Sequence, residues 1–169
     1  MSIQQMLFSF DGRLRRRDWW LWGIVVAVVY VIIAWLLNAS FGATGSYGFG
    51  LGSIVSFIVF LAFAYPWAAL CVKRGHDRGR PTNVILAGVG VVVICHAISQ
   101  FFVAGAAIAA AGGNPMGALA AAGPAMILGL ISLVVCLWFL VDLGILDGEQ
   151  GPNQYGPSPK GFEALTTAS

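Results

Sequence analysis

Charged residues are scarce in this sequence. Only 9% of the 169 residues are charged and 59% are hydrophobic, which gives a mean hydropathy of +0.84. A soluble domain carries about 25% charged residues. The charged residues of this sequence are too few to cover the surface of such a domain. Intrinsic disorder is excluded as well, because disordered chains combine low hydrophobicity with high charge. The composition therefore indicates an integral membrane protein.

Sequence motifs typical of catalytic and metal-binding sites are also missing. The three cysteines are isolated within or at the end of apolar segments, and no Cys-x-x-Cys pair occurs. The sequence has no phosphate-binding glycine loop with its lysine, no Gly-x-Ser-x-Gly and no His-Glu-x-x-His. We therefore expect no catalytic residue, cofactor or metal site, and no enzymatic activity. Nucleic-acid binding is not expected either, because the basic residues adjoin apolar segments.

The charges that are present leave two long uncharged segments, one between Asp18 and Lys73 and one between Arg80 and Asp142. A membrane-spanning helix needs about 20 apolar residues, so each segment holds two spans. The runs are continuously apolar, which favours helices over the alternating strands of a β-barrel. We predict an all-α membrane protein, a four-transmembrane-helix bundle. The spans are about 19–37, 51–72, 84–103 and 125–146.

Glycine and proline mark the connections between the spans. The segment 38–50 contains four glycines and is predicted to be a short polar loop. The segment 104–124 is rich in alanine and glycine, and three structures remain open for it: a helical extension of span three, a small surface helix or a loose loop.

Positive residues alternate along the chain in a way that predicts its orientation. Residues 13–17 hold four arginines and residues 73–80 hold four basic residues, whereas the first and third loops hold none. Cytoplasmic loops carry an excess of Lys and Arg, so both termini are expected in the cytoplasm. This divides the chain into a cytoplasmic interfacial segment (1–18), a four-helix transmembrane domain (19–146) and a cytoplasmic tail (147–169), whose last ten residues are expected to be disordered.

The N-terminal segment has the pattern of a short amphipathic helix. Ile3, Met6, Leu7 and Phe10 follow the spacing of one helix face. Arginines and then the tryptophans of 19–22 come next, and tryptophan is typical of the membrane interface. We expect a helix that lies flat at the cytoplasmic surface.

Three polar segments carry a resemblance to a known family. They read FDGRLRRRDWW (10–20), KRGHDRGR (73–80) and GPNQYGPSP (151–159). Together, and over residues 8–159, they resemble the domain of unknown function 805 family of small bacterial inner-membrane proteins. Gly75, Pro81 and Gln154 depart from the residues common in that family. The resemblance implies a multi-pass protein of the bacterial inner (plasma) membrane and no established activity.

All three segments fall on the predicted cytoplasmic side, so their polar groups can meet beneath the bundle. We expect one cluster there that binds anionic lipid headgroups or a partner protein. For His76 and Asp77, a purely structural role in the loop, with ion pairing and capping, is the competing interpretation. The expected members are Arg13, Arg17, Arg74, His76, Asp77, Arg80, Asn153 and Tyr155.

Two polar residues are predicted at membrane depth. His96 shares one helix face with Ser99 and Gln100, and we expect an interhelical hydrogen bond from it. Asp142 lies about one turn from the interface and is expected to pair with an arginine of the N-terminal segment or of loop two. Isolated intramembrane charges are costly and are therefore functional candidates.

The function that the sequence favours is that of a membrane scaffold or interaction protein that binds anionic lipids. A protein partner and a second copy of the chain are the further candidates. The alternative is a small oligomeric transporter or channel subunit, which would need polar residues aligned across the membrane. A membrane enzyme acting through His76 and Asp77 is the weakest interpretation, because two adjacent residues make no complete catalytic set.

Overall fold

A computed structural model describes residues 2–45 and 50–160, with the backbone alone at 42–45. The end of the predicted tail, 161–169, lies outside the described residues. The helices are α1 (Ile3–Phe8), α2 (Arg16–Gly45), α3 (Leu51–Asp77), α4 (Thr82–Ala111) and α5 (Pro115–Phe139), and α5 continues into a π-helical turn at Leu140–Ile145.

Four of these helices are long and apolar enough to cross a membrane. The candidate spans are Arg16–Phe41, Leu51–Asp77, Thr82–Ala111 and Pro115–Ile145. At 1.5 Å per residue the shortest, of 26 residues, is about 39 Å long, which exceeds the ~30 Å hydrocarbon core. Most of their apolar side chains are exposed, as expected for surfaces that face lipid. The prediction of an all-α protein with four spanning helices is confirmed.

The predicted loop at 38–50 is wrong over its first part, because α2 continues to Gly45. The polar residues there do not end the helix. Asn38 Nδ2 donates a hydrogen bond to the carbonyl of Ala34 (3.4 Å), and Ser40 Oγ donates to the carbonyl of Leu36 (2.8 Å). Both side chains are thus satisfied one turn back along their own helix.

The connection between spans three and four, left open by the sequence, is largely helical. Helix α4 extends to Ala111, and α5 begins at Pro115 after a short turn. Proline suits the first position of a helix, where its missing N–H costs nothing. Asn114 Oδ1 accepts a hydrogen bond from the Gly117 N–H at 2.8 Å and caps the new helix.

Helix α1 is shorter than its hydrophobic pattern predicts. It begins with a capping box between Ser2 and Gln5 and ends at Phe8, so Phe10 lies outside it. Ser9 adopts an extended backbone and its Oγ accepts a hydrogen bond from the Asp11 N–H at 3.0 Å, which turns the chain away from the helix. The ring of Phe10 nevertheless packs edge-on against Tyr65, 5.4 Å between centroids.

The chain forms two compact units. Unit 1 comprises Met1–Val26, Tyr65–Val89 and Leu137–Ser169, and unit 2 comprises Ala27–Ala64 and Gly90–Cys136. Unit 1 contains the three polar segments singled out above, on a core of apolar side chains that have no exposed surface. That core includes Leu70, Val72, Ile85 and Leu143. Unit 2 is built from apolar helix segments, with Tyr30 packed against the rings of Phe60 and Phe63.

Close packing in unit 1 gives a test of the fold at Gly88. A Cβ there would lie 2.7 Å from Cζ of the buried Phe139. We expect Gly88→Val to destabilise the protein by about 1–3 kcal/mol through overpacking. Thermal unfolding in detergent micelles would measure this. Gly90→Val is the matched control, since a Cβ at Gly90 meets nothing within 4 Å. Equal melting temperatures for both variants would contradict the packing described here.

Candidate functional site

Asp77, the last residue of α3, lies between two arginines in the interior of unit 1. Its Oδ1 is 2.9 Å from the Arg13 guanidinium, and its Oδ2 pairs with Arg74, one turn earlier on α3. The three side chains are only 0–2% exposed. Gly148 lies directly against the carboxylate, where a Cβ would overlap its oxygens. The triad is therefore a buried, closely enclosed ion cluster.

Arg13 connects this cluster to the C-terminal tail. Its Nη1 donates to the carbonyls of Gly151 (2.7 Å) and Gly156 (3.3 Å), and its Nη2 donates to the carbonyl of Glu149 (2.6 Å). Tail and α3 also meet through the backbone, since the Glu149 N–H donates to the Asp77 carbonyl at 2.7 Å. The order of the tail thus depends on a charge from the N-terminal segment.

Several cationic and aromatic side chains satisfy the carbonyls where span four ends. Arg74 donates to the carbonyls of Leu143 and Leu146, which lie in and just after the π-helical turn. The last carbonyls of a helix have no partner within it and carry partial negative charge. Further donors complete the capping: Arg16 to Ile145 (2.6 Å), Trp20 Nε1 to Gly144 (3.0 Å) and Arg78 to Asp147 (2.5 Å).

Asp142 forms a second ion cluster, on the π-helical turn. Arg80 donates to both of its carboxylate oxygens at 3.1 Å, and Arg78 donates to one of them at 3.2 Å. The hydrogen bond to Asp142 raises the pKa of the Arg80 guanidinium. Arg80, which the sequence placed in the same cluster as Asp77, is therefore paired with Asp142.

His76 packs against the tail and has both ring nitrogens occupied. Nδ1 lies 3.0 Å from the Gly12 carbonyl, which can only accept, so Nδ1 carries the proton. Nε2 then accepts from the Thr82 hydroxyl at 2.8 Å. The Tyr155 ring stacks on the imidazole, 3.8 Å between centroids and 3° from parallel. This arrangement leaves neither nitrogen free to ligate a metal ion.

Asn153 completes the contact between tail and loop two. Its Nδ2 donates to the His76 carbonyl (3.0 Å) and to Glu149 (2.7 Å), and its Oδ1 accepts from the Tyr155 N–H. A backbone bridge between Asn153 and Gly156 closes the turn. Within residues 2–45 and 50–160 there is no group of three or more His, Cys, Asp or Glu residues that could hold a metal ion.

Arg17 lies outside these clusters. Its side chain is 87% exposed, and its one ion pair in the described part of the chain is a 3.8 Å contact with Asp18. The neighbouring Arg15 and Arg16 are exposed as well. Lys160 pairs with Asp147 at 3.4 Å, and this contact lowers the pKa of the Asp147 carboxyl.

Sequence reasoning assigned Lys73 only to the orientation of the spans, yet this residue is fully buried. Its ammonium donates to the carbonyls of Gln5 and Met6, at the C-terminal half of α1. A helix end attracts a cation, but nothing in the sequence indicates that α1 would end beside Lys73. Gly148 and Glu149 were also missed, because their contacts with Asp77 and Arg13 depend on backbone placement that a motif does not encode.

His96, in unit 2, contacts a neighbour on its own helix. Gln100 Nε2 lies 3.2 Å from His96 Nε2, one turn along α4. The Phe60 ring of α3 stacks on the imidazole at 3.9 Å between centroids. The sequence predicted an interhelical hydrogen bond, whereas the described contact with α3 is between rings.

The buried triad gives a stability prediction. We expect Asp77→Asn to destabilise the protein by about 3–5 kcal/mol, because it leaves two buried guanidiniums without their counter-charge. The matched control, Asp18→Asn, breaks only the exposed pair with Arg17 and is expected to cost at most about 1 kcal/mol. Chemical unfolding in micelles would compare them. A loss of similar size in both would show that the triad contributes no more than a surface pair.

Comparison with known proteins places this arrangement in a family. The model of the family described as "Protein of unknown function (DUF805)" matches residues 7–157. The uncharacterized protein YiiR of Escherichia coli is 33% identical over 157 residues, 92% of this chain and 89% of YiiR. The inner membrane protein YhaH of Escherichia coli is 35% identical over 81 residues, 47% of this chain and 63% of YhaH. No solved structure matches.

The family match covers the first two polar segments and residues 151–157 of the third. Together with the four apolar helices and the inner-membrane relative, it indicates a multi-pass inner membrane protein. The expected resemblance is confirmed, and the chain belongs to the domain of unknown function 805 family.

Proposed function

We propose that this protein is an inner-membrane scaffold that binds anionic lipid headgroups through the exposed arginines at the start of α2. In this proposal both termini and loop two lie in the cytoplasm. The role is binding rather than catalysis. The buried ion clusters hold the binding surface in place and are not themselves the surface.

One observation carries the proposal: Arg13 and Arg74 are buried and occupied, whereas Arg17 is exposed and has no close partner among the described residues. Arg13 and Arg74 are buried and donate to Asp77 and to backbone carbonyls of the chain itself. While these partners stay in place, the two guanidiniums have little capacity left for a ligand. Arg17 is 87% exposed and has only a long contact with Asp18, so its charge is available.

The position of the exposed arginines fits a headgroup surface. Arg15, Arg16 and Arg17 are consecutive and exposed at the N-terminal end of the first candidate span. Arg15 and Arg16 also donate to the carbonyls of Pro159 and Ile145. Trp20, 40% exposed, follows them, and tryptophan favours the membrane interface. Each basic residue near an anionic leaflet contributes about 1 kcal/mol, and the first N–H groups of α2 add partial positive charge.

Helix α1 extends this surface. Ile3 and Phe8 are each 58% exposed, while Lys73 and the ring of Tyr65 hold the helix to unit 1. An apolar face beside a basic segment is the pattern of an interfacial helix. In the proposed orientation α1 inserts Ile3 and Phe8 between headgroups next to the arginines.

Lipid titration tests the headgroup proposal. We expect Arg17→Gln to weaken phosphatidylglycerol binding about fivefold, the equivalent of ~1 kcal/mol per basic residue, with little effect on phosphatidylcholine. Native mass spectrometry of the micelle-solubilised protein would count bound lipids at two salt concentrations. Arg17→Lys, which keeps the charge, is the control and should bind as the wild type does. Equal binding of the two lipids by the wild type would refute the proposal.

Cysteine labelling tests the proposed orientation. We expect a membrane-impermeant maleimide to label Met116→Cys, at the start of α5, on intact spheroplasts. Gln154→Cys, in the tail, should react only after the membrane is permeabilised. Both positions are exposed, so a difference in labelling reports the side of the membrane on which each lies. Labelling of Gln154→Cys from outside would place the arginines on the wrong side for cytoplasmic headgroups.

A further inference from the structure

We propose that the tail segment 149–159, which we call the strap, covers a phosphate-binding site on Arg13, and that release of the strap opens this site. The ligand is a phosphate group, carried by a lipid headgroup or free in solution. The inference rests on the proposed function, because it adds a second, regulated anion site on the same unit.

Three carbonyl oxygens of the strap accept hydrogen bonds from the two terminal nitrogens of the Arg13 guanidinium. Those of Gly151 and Gly156 accept from Nη1, and that of Glu149 accepts from Nη2 at 2.6 Å. Three converging oxygen acceptors are also what a phosphate offers to an arginine. The strap carbonyls thus occupy N–H donors that a phosphate could use once the strap is released.

Asp77 fixes Arg13 in a conformation suited to an external ligand. Its Oδ1 accepts from Arg13 Nε at 3.1 Å and lies 2.9 Å from Nη2, whereas Nη1 contacts only strap carbonyls among the described residues. The guanidinium therefore keeps its orientation when the strap leaves. The strap carbonyls are neutral acceptors, whereas a phosphate is negatively charged, so a bound phosphate would add an ion pair to the hydrogen bonds of the guanidinium.

Few apolar contacts hold the strap in place. Glu149, Gln150, Pro152, Gln154 and Pro157 are exposed, and its aromatic ring, Tyr155, is half-buried on His76. The remaining attachments are hydrogen bonds, including Asn153 to the His76 carbonyl and Arg15 to the Pro159 carbonyl. Segments with few buried apolar contacts are the ones that open locally.

Two glycines allow the strap to be loosened without changing its side-chain contacts. Gly151 and Gly156 have φ of +82° and +124°, and a Cβ at either meets nothing within 4 Å. Alanine at these positions strains the docked backbone and leaves Arg13 intact. Gly113 has φ +71° and equally open space, but lies in the α4–α5 turn. Gly113→Ala is therefore a matched control.

The experiment compares full-length variants in micelles by native mass spectrometry. We expect the double variant Gly151→Ala, Gly156→Ala to bind phosphatidylglycerol about five- to twentyfold more tightly, because apparent affinity rises with the population of the open state. Tyr155→Ala, which removes the stack on His76, should act in the same direction. Gly113→Ala should bind as the wild type does. The same titration with inorganic phosphate assigns the source, since a lipid-specific site responds to phosphatidylglycerol alone.

Arg13→Lys in the double variant should remove the gain, because lysine cannot bind a phosphate through two parallel hydrogen bonds. Hydrogen exchange of the strap amides is measured in parallel. Faster exchange without tighter binding, or a gain that survives Arg13→Lys, would overturn the proposal. So would unchanged exchange in both strap variants, because the strap would then not be detachable.

Failure of the strap proposal can be distinguished from failure of the headgroup proposal. Arg17 contacts neither the strap nor Arg13 in the described residues, so Arg17→Gln lowers basal lipid binding and leaves the strap-dependent gain unchanged. A gain without basal binding would refute the headgroup proposal alone. Basal binding without a gain would refute the strap proposal alone.

Discussion

The arrangement of unit 1 depends on one buried carboxylate. Asp77 pairs with both Arg13 and Arg74, which come from two different segments and are almost without exposed surface. Charges removed from water are tolerated only when they are paired and their remaining hydrogen-bonding groups are satisfied. Because two cations share one anion, the rest of each guanidinium must find further acceptors. That requirement, more than apolar contact, determines which backbone segments lie against this cluster.

Backbone carbonyls meet that requirement. Arg74 binds carbonyls at the end of span four, and Arg13 binds carbonyls of the tail. The buried guanidiniums need acceptors, and the final carbonyls of a helix need donors because they have no partners within the helix. The positive-inside rule uses these arginines only to predict orientation. They also donate hydrogen bonds to backbone carbonyls that would otherwise lack a partner. A lysine at Arg13 could not reach a carboxylate and several carbonyls with one planar group.

The sequence predicted the four spans because charge and apolar length are enough to define a membrane helix. It also predicted that three distant segments contribute to one polar cluster, and the structure brings most of the named residues together. It could not separate the partners of Asp77 from those of Asp142. Arg78 and Arg80 follow Asp77 closely in sequence, yet they reach the π-helical turn. Their direction is set by the turn at Gly79, whose φ is +69°.

The features that sequence reasoning missed share a physical origin. The π-helical turn, the position of Gly148 against the carboxylate and the capping of α1 by Lys73 all depend on where the backbone passes. Charge and hydropathy can be read from a pattern of side-chain types, but the direction of a backbone carbonyl cannot. In a protein whose buried cations bind mainly its own backbone, the motif residues identify the donors while only the fold identifies the acceptors. The exposed Arg17 is informative for the same reason: it adjoins the buried cluster in sequence, but no backbone carbonyl in the described residues takes up its charge.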